Sequence, residues 1–403
     1  MTTEAAGTAV RQGDADSAWL RARLEELERI ERPSASEGER RAAEWLVARF
    51  AELGGEARIE AERAHGTYWW PLGIGAALGA LGGLAALRGR RLLGAALGAL
   101  GAAGIADDFP PGKRRLRKPL PRRTTYNVVC ELGNLDAERT VVVVAHHDSA
   151  HSGLVFHPEI PQIADRLGLI ERTDTSPMLM APVIGGPLLA ALGALTGRRG
   201  PALLGALLGL GSAATMAEIG LRGVVPGAND NGSSVVALLA LARRLLADPP
   251  RDVRVILLST GSEESFSEGM KAFGERHFPR LPRESTFFLC LEAIGSPHLL
   301  VLRGEGFLKM HEYPPRALAM MDGLAEEMGI WLFPNLRLHN GTDGLESLAA
   351  GYETAALCGC TPLKQPANYH WPNDVAANVD FDTLGDAIRL SEAAIRRYGE
   401  RGL

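Results

Sequence analysis

Two pairs of almost uncharged, Gly/Ala/Leu-rich stretches interrupt this chain, and each pair turns at the same short basic tip. Trp69–Leu87 is followed by Arg88-Gly89-Arg90-Arg91 and then by Leu92–Ala106. Met178–Thr196 is followed by Gly197-Arg198-Arg199-Gly200 and then by Pro201–Ala217. Leu-x-Gly-Arg-Arg stands at both tips, a weak internal repeat. Stretches with no polar face must hide from water, so they predict four hydrophobic helices in two hairpins. A bilayer core about 30 Å thick takes roughly 20 apolar helical residues. Trp69–Leu87 and Met178–Thr196 meet that length, and Leu92–Ala106 is marginal. Gly75-x-x-x-Gly79, Gly94-x-x-x-Gly98 and Gly205-x-x-x-Gly209 permit close helix approach in lipid. Trp69 and Trp70 stand where an interfacial aromatic would lie. The competing reading is a Gly/Ala-rich soluble helical subdomain.

Around these insertions, strand and helix patterns alternate, which predicts an α/β three-layer domain with a central sheet. Two amphipathic helices fill Ala18–Leu53, with Pro33-Ser34-Ala35-Ser36 between them. Ser36-Glu37-Gly38-Glu39 fits a capping box. Asn127–Leu132 and Thr140–Ala145 flank a Gly133-Asn134 turn and read as a β-hairpin. Val253–Ser259 and Phe287–Glu292 read as buried strands, Ser233–Leu246 and Phe381–Tyr398 as helices. If Asn127–Leu132 runs antiparallel beside Thr140–Ala145, both hydrophobic hairpins leave the domain near His146.

Metal-ligand residue types follow one another in short contexts: Ala145-His146-His147-Asp148, Ala228-Asn229-Asp230-Asn231, Ser262-Glu263-Glu264, Leu291-Glu292 and Tyr369-His370. His146, the Glu263-Glu264 pair and Glu292 each fall where a predicted strand ends, which is where open α/β sheets build sites. Two histidines with several carboxylates can hold a pair of zinc ions, and a spare Glu can serve as general base. His147 reads as structural. His65, His151, His157, His277, His298, His311 and His339 read as surface or loop histidines.

With these motifs in order, the chain resembles the M28 family of zinc metallopeptidases of the co-catalytic aminopeptidase type. The resemblance covers about Trp19–Thr67 and Thr124–Leu403, with both hydrophobic hairpins as insertions. It implies a zinc-exopeptidase-like α/β/α fold with a central mixed sheet, and two Zn2+ per chain. The implied ligands are His146, Asp230 as the bridge, Glu264, Glu292 and His370. Glu263 matches the general base that works on a metal-bridging hydroxide. Asp148 matches the partner of the first His, and Tyr369 a residue that polarises the substrate carbonyl in some members. Glu292 stands where Asp is more usual. Asp343 matches a Ser-Asp motif whose following His is here Gly344, so its role stays open.

The expected function is hydrolysis of an amide bond by a membrane-attached di-zinc peptidase, chiefly an aminopeptidase. The alternatives are a carboxypeptidase, a deacylase or a glutaminyl-cyclase-like enzyme on the same fold, or an inactive membrane scaffold. The division expected is 1–66, 124–160 and 222–403 as catalytic domain, with 67–108 and 177–218 as membrane hairpins. Expected partners are a peptide or amide substrate and the lipid bilayer, and nothing in the sequence sets the oligomeric state. A net charge of −5 gives no nucleic-acid footprint. Cys130, Cys290, Cys358 and Cys360 suggest no disulfide, and the N-terminus has no leader pattern. With Lys113–Lys118, Arg122 and Arg123 flanking the catalytic side, the multi-pass chain is expected to keep that side in the cytoplasm.

Overall fold

A computed structural model describes residues 16–170 and 172–403; the N-terminal stretch read for a leader lies outside the described residues. A helix over 16–27 (α1) and α2 (Glu37–Glu52) open the chain. They are followed by β1 (Ala57–Ala64), α3 (Trp69–Leu87), α4 (Arg91–Asp108), β2 (Arg123–Gly133) and β3 (Arg139–His146). Next come α5 (Glu159–Arg166), α6 (Ala181–Thr196), α7 (Arg199–Leu221), α8 (Ser234–Ala247), β4 (Val253–Thr260), α9 (Glu268–His277) and β5 (Thr286–Glu292). After them lie β6 (His298–Val301), β7 (Gly304–Glu305), β8 (His311–Glu312), α10 (Pro315–Glu327), β9 (Arg337–Leu338), α11 (Gly344–Ala349), β10 (Glu353–Cys360) and α12 (Phe381–Arg401).

Seven strands form one mixed sheet in the order β1-β2-β4-β3-β5-β10-β6. Parallel neighbours β4, β3, β5 and β10 make its centre, and β1, β2 and β6 are antiparallel. Side chains alternate between faces with the period of two that a strand imposes. Val141, Val143, Leu257 and Leu289 face α2, α8, α10 and α12, whereas Val142, Val144, Leu258 and Phe288 face α9. The three-layer α/β/α expectation is therefore met.

The expected β-hairpin is not. β2 pairs with β1 and β4, and β4 lies between β2 and β3. The Gly133-Asn134 turn instead caps the start of β4, where Asn134 donates to the carbonyls of Val253 and Arg251. β3 is buried along nearly its whole length and takes a parallel partner on each side. The rim argument survives by another route. β2 runs antiparallel to β4 and β4 parallel to β3, so the start of β2 still lies at the end where β3 finishes. Across the sheet edge Ala64 pairs with Arg123, so the first insertion replaces a β1–β2 turn. The second leaves and returns through a short pairing: Val225 N donates to Ala150 O at 2.9 Å and Ser152 N to Gly223 O at 3.1 Å.

α3, α4, α6 and α7 pack together as a bundle. Only two of the four are long and apolar enough to cross a membrane, Trp69–Leu87 and Arg199–Leu221. α6 begins at Ala181 rather than Met178 and has 16 residues. α4 carries Arg91, Asp107 and Asp108 at its ends. Each hairpin turns at a glycine with positive φ, Gly89 at 80° and Gly197 at 69°. Toward the tips the bundle interior is made of small residues: a Cβ on Gly79 would lie 2.5 Å from Pro187 Cγ, and one on Gly209 2.7 Å from Ala76 O; at the domain end Leu72, Ile105, Val183 and Met216 are buried. Its outside is leucine, with Leu81, Leu84, Leu100, Leu192, Leu203, Leu207 and Leu210 exposed. Trp70 is exposed, while Trp69 is buried against His151, centroids 4.4 Å apart.

The basic run after α4 does not stay free. Arg117 and Arg114 are buried in ion pairs with Asp108 and Glu346. Lys113, Arg115, Lys118, Arg122 and Arg123 remain exposed, but so do Arg88, Arg90, Arg91, Arg198 and Arg199 at the tips, five on each side. The charge asymmetry that pointed the catalytic side to the cytoplasm does not survive this count.

Candidate metal centre

The sheet sets the site's frame. His146 is the last residue of β3, Glu292 the last of β5, and Glu263-Glu264 follow β4. Asp230 lies in the turn before α8, and His370 in the loop after β10. Asp230 offers one oxygen to each histidine: Oδ1 is 3.4 Å from His146 Nε2, and Oδ2 is 3.4 Å from His370 Nε2. Glu292 Oε1 stands 3.4 Å from His146 Nε2, and Glu264 Oε2 stands 3.3 Å from His370 Nε2. Two groups, His146/Asp230/Glu292 and Asp230/Glu264/His370, thus share Asp230, with ligand atoms within 4.8 Å of one another in each. Glu263 belongs to neither; its Oε2 is 3.8 Å from His146 Nε2. It does form a third group of that size with His146 and Glu264.

These donors fit zinc. Ligands about 2.0–2.1 Å from a tetrahedral Zn2+ stand about 3.3–3.4 Å apart, which is the spacing found. His146 turns Nδ1 toward Asp148, 3.3 Å from both its carbonyl and its Oδ1, and so leaves Nε2 facing the acids. Glu264 Oε1 is buried without a protein partner. Burial pushes the Glu263 carboxyl well above the usual range and that of Glu292 up to about 8. Burial also opposes ionisation of Asp230, but its bonds to His146 and His370 outweigh that and hold it low. Although burial opposes it, the acids in turn push the His146 imidazole well above its ordinary range and that of His370 up to about 10, so this cluster favours positive charge at its centre.

Asp148 ties two motifs together. It accepts from Glu263 N at 3.0 Å, Glu264 N at 3.1 Å and Ser34 Oγ at 2.6 Å. Tyr369 stacks on His370, centroids 3.9 Å apart, and lines the cavity. Asp343 is buried behind the site, bonded to Thr260. His147 bonds Ser259 Oγ at 2.9 Å and lies away from the ligand groups.

Sequence reading missed four supports. Arg32, fully buried, donates to the carbonyls of Pro226 and Gly227, both at 2.6 Å, and so fixes the turn before Asp230. Asp374 accepts from Asn229 N at 2.7 Å and Asp230 N at 3.0 Å. Ser34 holds Asp148, and Glu39 accepts from Ser262 Oγ at 2.8 Å beside the paired glutamates. Arg32 and Ser34 flank the proline read as a mere helix spacer; Asp374 sits four residues after His370, the only signal it gave. Three histidines read as surface or loop residues make structural contacts: His151 on Trp69, His65, whose Nδ1 is 3.0 Å from Glu268, and His277, whose Nε2 is 2.8 Å from Glu60.

The cavity over the site, about 130 Å³, has a largely apolar wall that includes Tyr68, Phe156, Met180, Phe266 and Phe307. Tyr68 precedes α3 and Met180 precedes α6, so both hairpin feet contribute to it. Lys364 is its one lysine, and that ammonium already donates to the carbonyls of Ile170, at 2.6 Å, and Thr173.

Residues 215–395 match the model of peptidase family M28. That segment holds Asp230, Glu263, Glu264, Glu292 and His370; His146 and the first hairpin precede it. In fold the chain is similar to the glutaminyl cyclase of Tannerella forsythia, at 15% identity and TM-score 0.57, covering 95% of this chain and 98% of that one. It is similarly close to the aminopeptidase from Aneurinibacillus sp. strain AM-1, at 13% identity and TM-score 0.57, covering 94% and 93%. The zinc aminopeptidase from Bacillus subtilis gives 14% identity and TM-score 0.55, covering 94% and 95%. No curated protein matches the chain. The fold is one shared by zinc aminopeptidases and glutaminyl cyclases. Within it, the chain resembles family M28, and zinc is the metal that resemblance implies.

Proposed function

We propose that this is a membrane-attached di-zinc aminopeptidase. The carrying observation is Asp230, whose two oxygens each stand 3.4 Å from a different histidine. In this reading His146, Asp230 and Glu292 hold one zinc and Asp230, Glu264 and His370 the other. When bound, the pair would acidify water and polarise the scissile carbonyl. Glu263 takes a proton from the attacking water and delivers it to the leaving nitrogen. Asp148 holds His146 and the loop bearing Glu263 in place. Tyr369, beside His370, donates its hydroxyl proton toward the carbonyl oxygen as negative charge gathers there. An aminopeptidase is favoured over a carboxypeptidase because the only lysine of the cavity is committed to carbonyls, whereas acids line the floor. Among the described residues, a substrate carboxylate meets no free lysine or arginine in the cavity.

Membrane attachment is supported by the tip half of the bundle, with small residues inside and leucines outside, the reverse of a helix bundle built for water. The reading keeps 1–66, 124–160 and 222–403 as the catalytic domain and 67–108 and 177–218 as multi-pass hairpins. All four cysteines are free and buried, which supports a cytoplasmic catalytic side now that charge does not.

The test is zinc content with turnover on aminoacyl amides, N-blocked amides and C-terminal substrates. Two zincs per chain and preference for a free amine are expected, and Asp230→Ala should lose most of both metals. Two zincs retained in Asp230→Ala would refute the bridge. Ammonia release from glutaminyl peptides, with aminoacyl amides untouched, would move the reading to a cyclase.

A further inference from the structure

The loop that carries Glu263 and Glu264 is held in an unusual backbone shape. Ser262, Phe266 and Ser267 have φ of 53°, 71° and 51°, in the left-handed region that side-chain-bearing residues avoid. Such a loop keeps its form only where surrounding contacts fix it. One set of contacts comes from the catalytic domain, through Asp148 and Glu39. The other comes from the two ends of the first hairpin and converges on Glu268.

Glu268 accepts from His65 N at 3.0 Å and Gly66 N at 2.8 Å, both just before α3, and from Ser265 Oγ at 2.7 Å within the loop. Arg117, beyond α4, stands 3.2 Å from Glu268 and donates to Ser265 O at 2.9 Å. Arg117 is itself gripped by Asp108, the last residue of α4, through bonds of 2.8 and 2.7 Å. Arg117, Asp108 and Glu268 are all buried. Although burial opposes it, His65 and the two arginines bring the Glu268 carboxyl down to about 2. Alongside, Phe266 stacks on Tyr68, centroids 4.8 Å apart. Entry and exit of the hairpin thus meet the loop at Glu268, Ser265 and Phe266.

We propose that Glu268 and Arg117 are positioning residues that make the foot of the first hairpin part of the catalytic device, by fixing the loop that aims Glu263. This rests on the reading of Glu263 as the general base. The bonds are short and directional and end on the loop's own backbone and hydroxyl, so a change in them displaces the base relative to the substrate. A purely structural clamp would lower stability and leave the turnover of each folded molecule alone.

The experiment uses the full chain, zinc-loaded and reconstituted in phosphatidylcholine nanodiscs, with leucine p-nitroanilide as substrate. Glu268→Gln and Arg117→Lys are expected to lower kcat by roughly 10- to 100-fold, the scale of a small misplacement, with KM and zinc content nearly unchanged. Glu346→Gln, which breaks the Arg114 pair at the same foot, is expected to lower Tm and leave kcat alone. Wild-type kcat in Glu268→Gln overturns the proposal whatever its Tm. If Glu268→Gln does not fold, Arg117→Lys, which keeps charge but loses the guanidinium fork, carries the same two outcomes. If the wild type cleaves no substrate, the functional reading fails, and amide exchange over 261–268 decides the inference instead. Faster exchange there in Glu268→Gln or Arg117→Lys than in Glu346→Gln upholds it, and equal exchange overturns it.

Discussion

Asp148 accepts the backbone N–H of Glu263 at 3.0 Å, and the same oxygen lies 3.3 Å from His146 Nδ1. One carboxylate therefore fixes both the first histidine's orientation and the peptide that bears the base. In Asp148→Asn one of the two oxygens becomes a donor and must face an N–H or the Ser34 hydroxyl. Zinc affinity is expected to fall by roughly 10- to 100-fold, the usual cost of losing a partner of a ligating histidine. Competition with a chelator measures this; unchanged affinity would mean that Asp148 serves only the fold.

Glu263→Gln is expected to keep the zinc content and thermal stability while kcat falls by roughly two to four orders of magnitude. Loss of zinc instead would mark Glu263 as a ligand, as its group with His146 and Glu264 permits.

Stability should depend on pH through Glu268. Its carboxyl is held down to about 2 from an ordinary 4.5, so the folded chain takes up this proton less readily than the unfolded chain. The contribution, about 3 kcal/mol, is complete above pH 4.5 and is lost as pH falls from there toward 2. Urea unfolding of the metal-free chain should show the gap between wild type and Glu268→Gln narrowing across that window. A gap that stays constant from pH 6 to pH 3 would remove Glu268 as its source.

The bundle makes a further prediction. Leu207 is exposed near the middle of α7. If lipid covers it, Leu207→Arg carries a mid-span penalty of about 2.5–3.5 kcal/mol and should impair insertion. The wild-type chain should resist alkaline wash and yield to detergent. Release by alkaline wash, with Leu207→Arg well tolerated, would establish a bundle that faces water.

Elements fixed by local pattern were legible in the sequence: the Ser36 cap, which accepts from Gly38 and Glu39, the buried runs of β4 and β5, and the helices after Ser233 and Asp380. The strand-end placement of Glu263 and Glu292 followed from those runs, and that of His146 from Val141–Val144. What failed was non-local. Strand order depends on which neighbour covers β3, and nothing in Gly133-Asn134 announces that β4 will intervene. Glu39 fits a capping box, yet its carboxylate takes Ala35 N and then reaches Thr125 and Ser262. The basic run after α4 reads as a membrane flank until the fold supplies Asp108, Glu268 and Glu346 to bury two of its arginines.

Because Ala64 and Arg123 face each other across adjacent strands, the first hairpin could be excised and its ends rejoined by a tight turn with the sheet intact. Such a cut is the obvious route to a water-soluble fragment for crystallography or inhibitor screening. It would also remove His65, Gly66, Tyr68, Asp108 and Arg117 together, and with them one of the two supports of the Glu263 loop. Excision of the second hairpin, 177–218, leaves that support in place, so the two deletions are predicted to be unequal as enzymology.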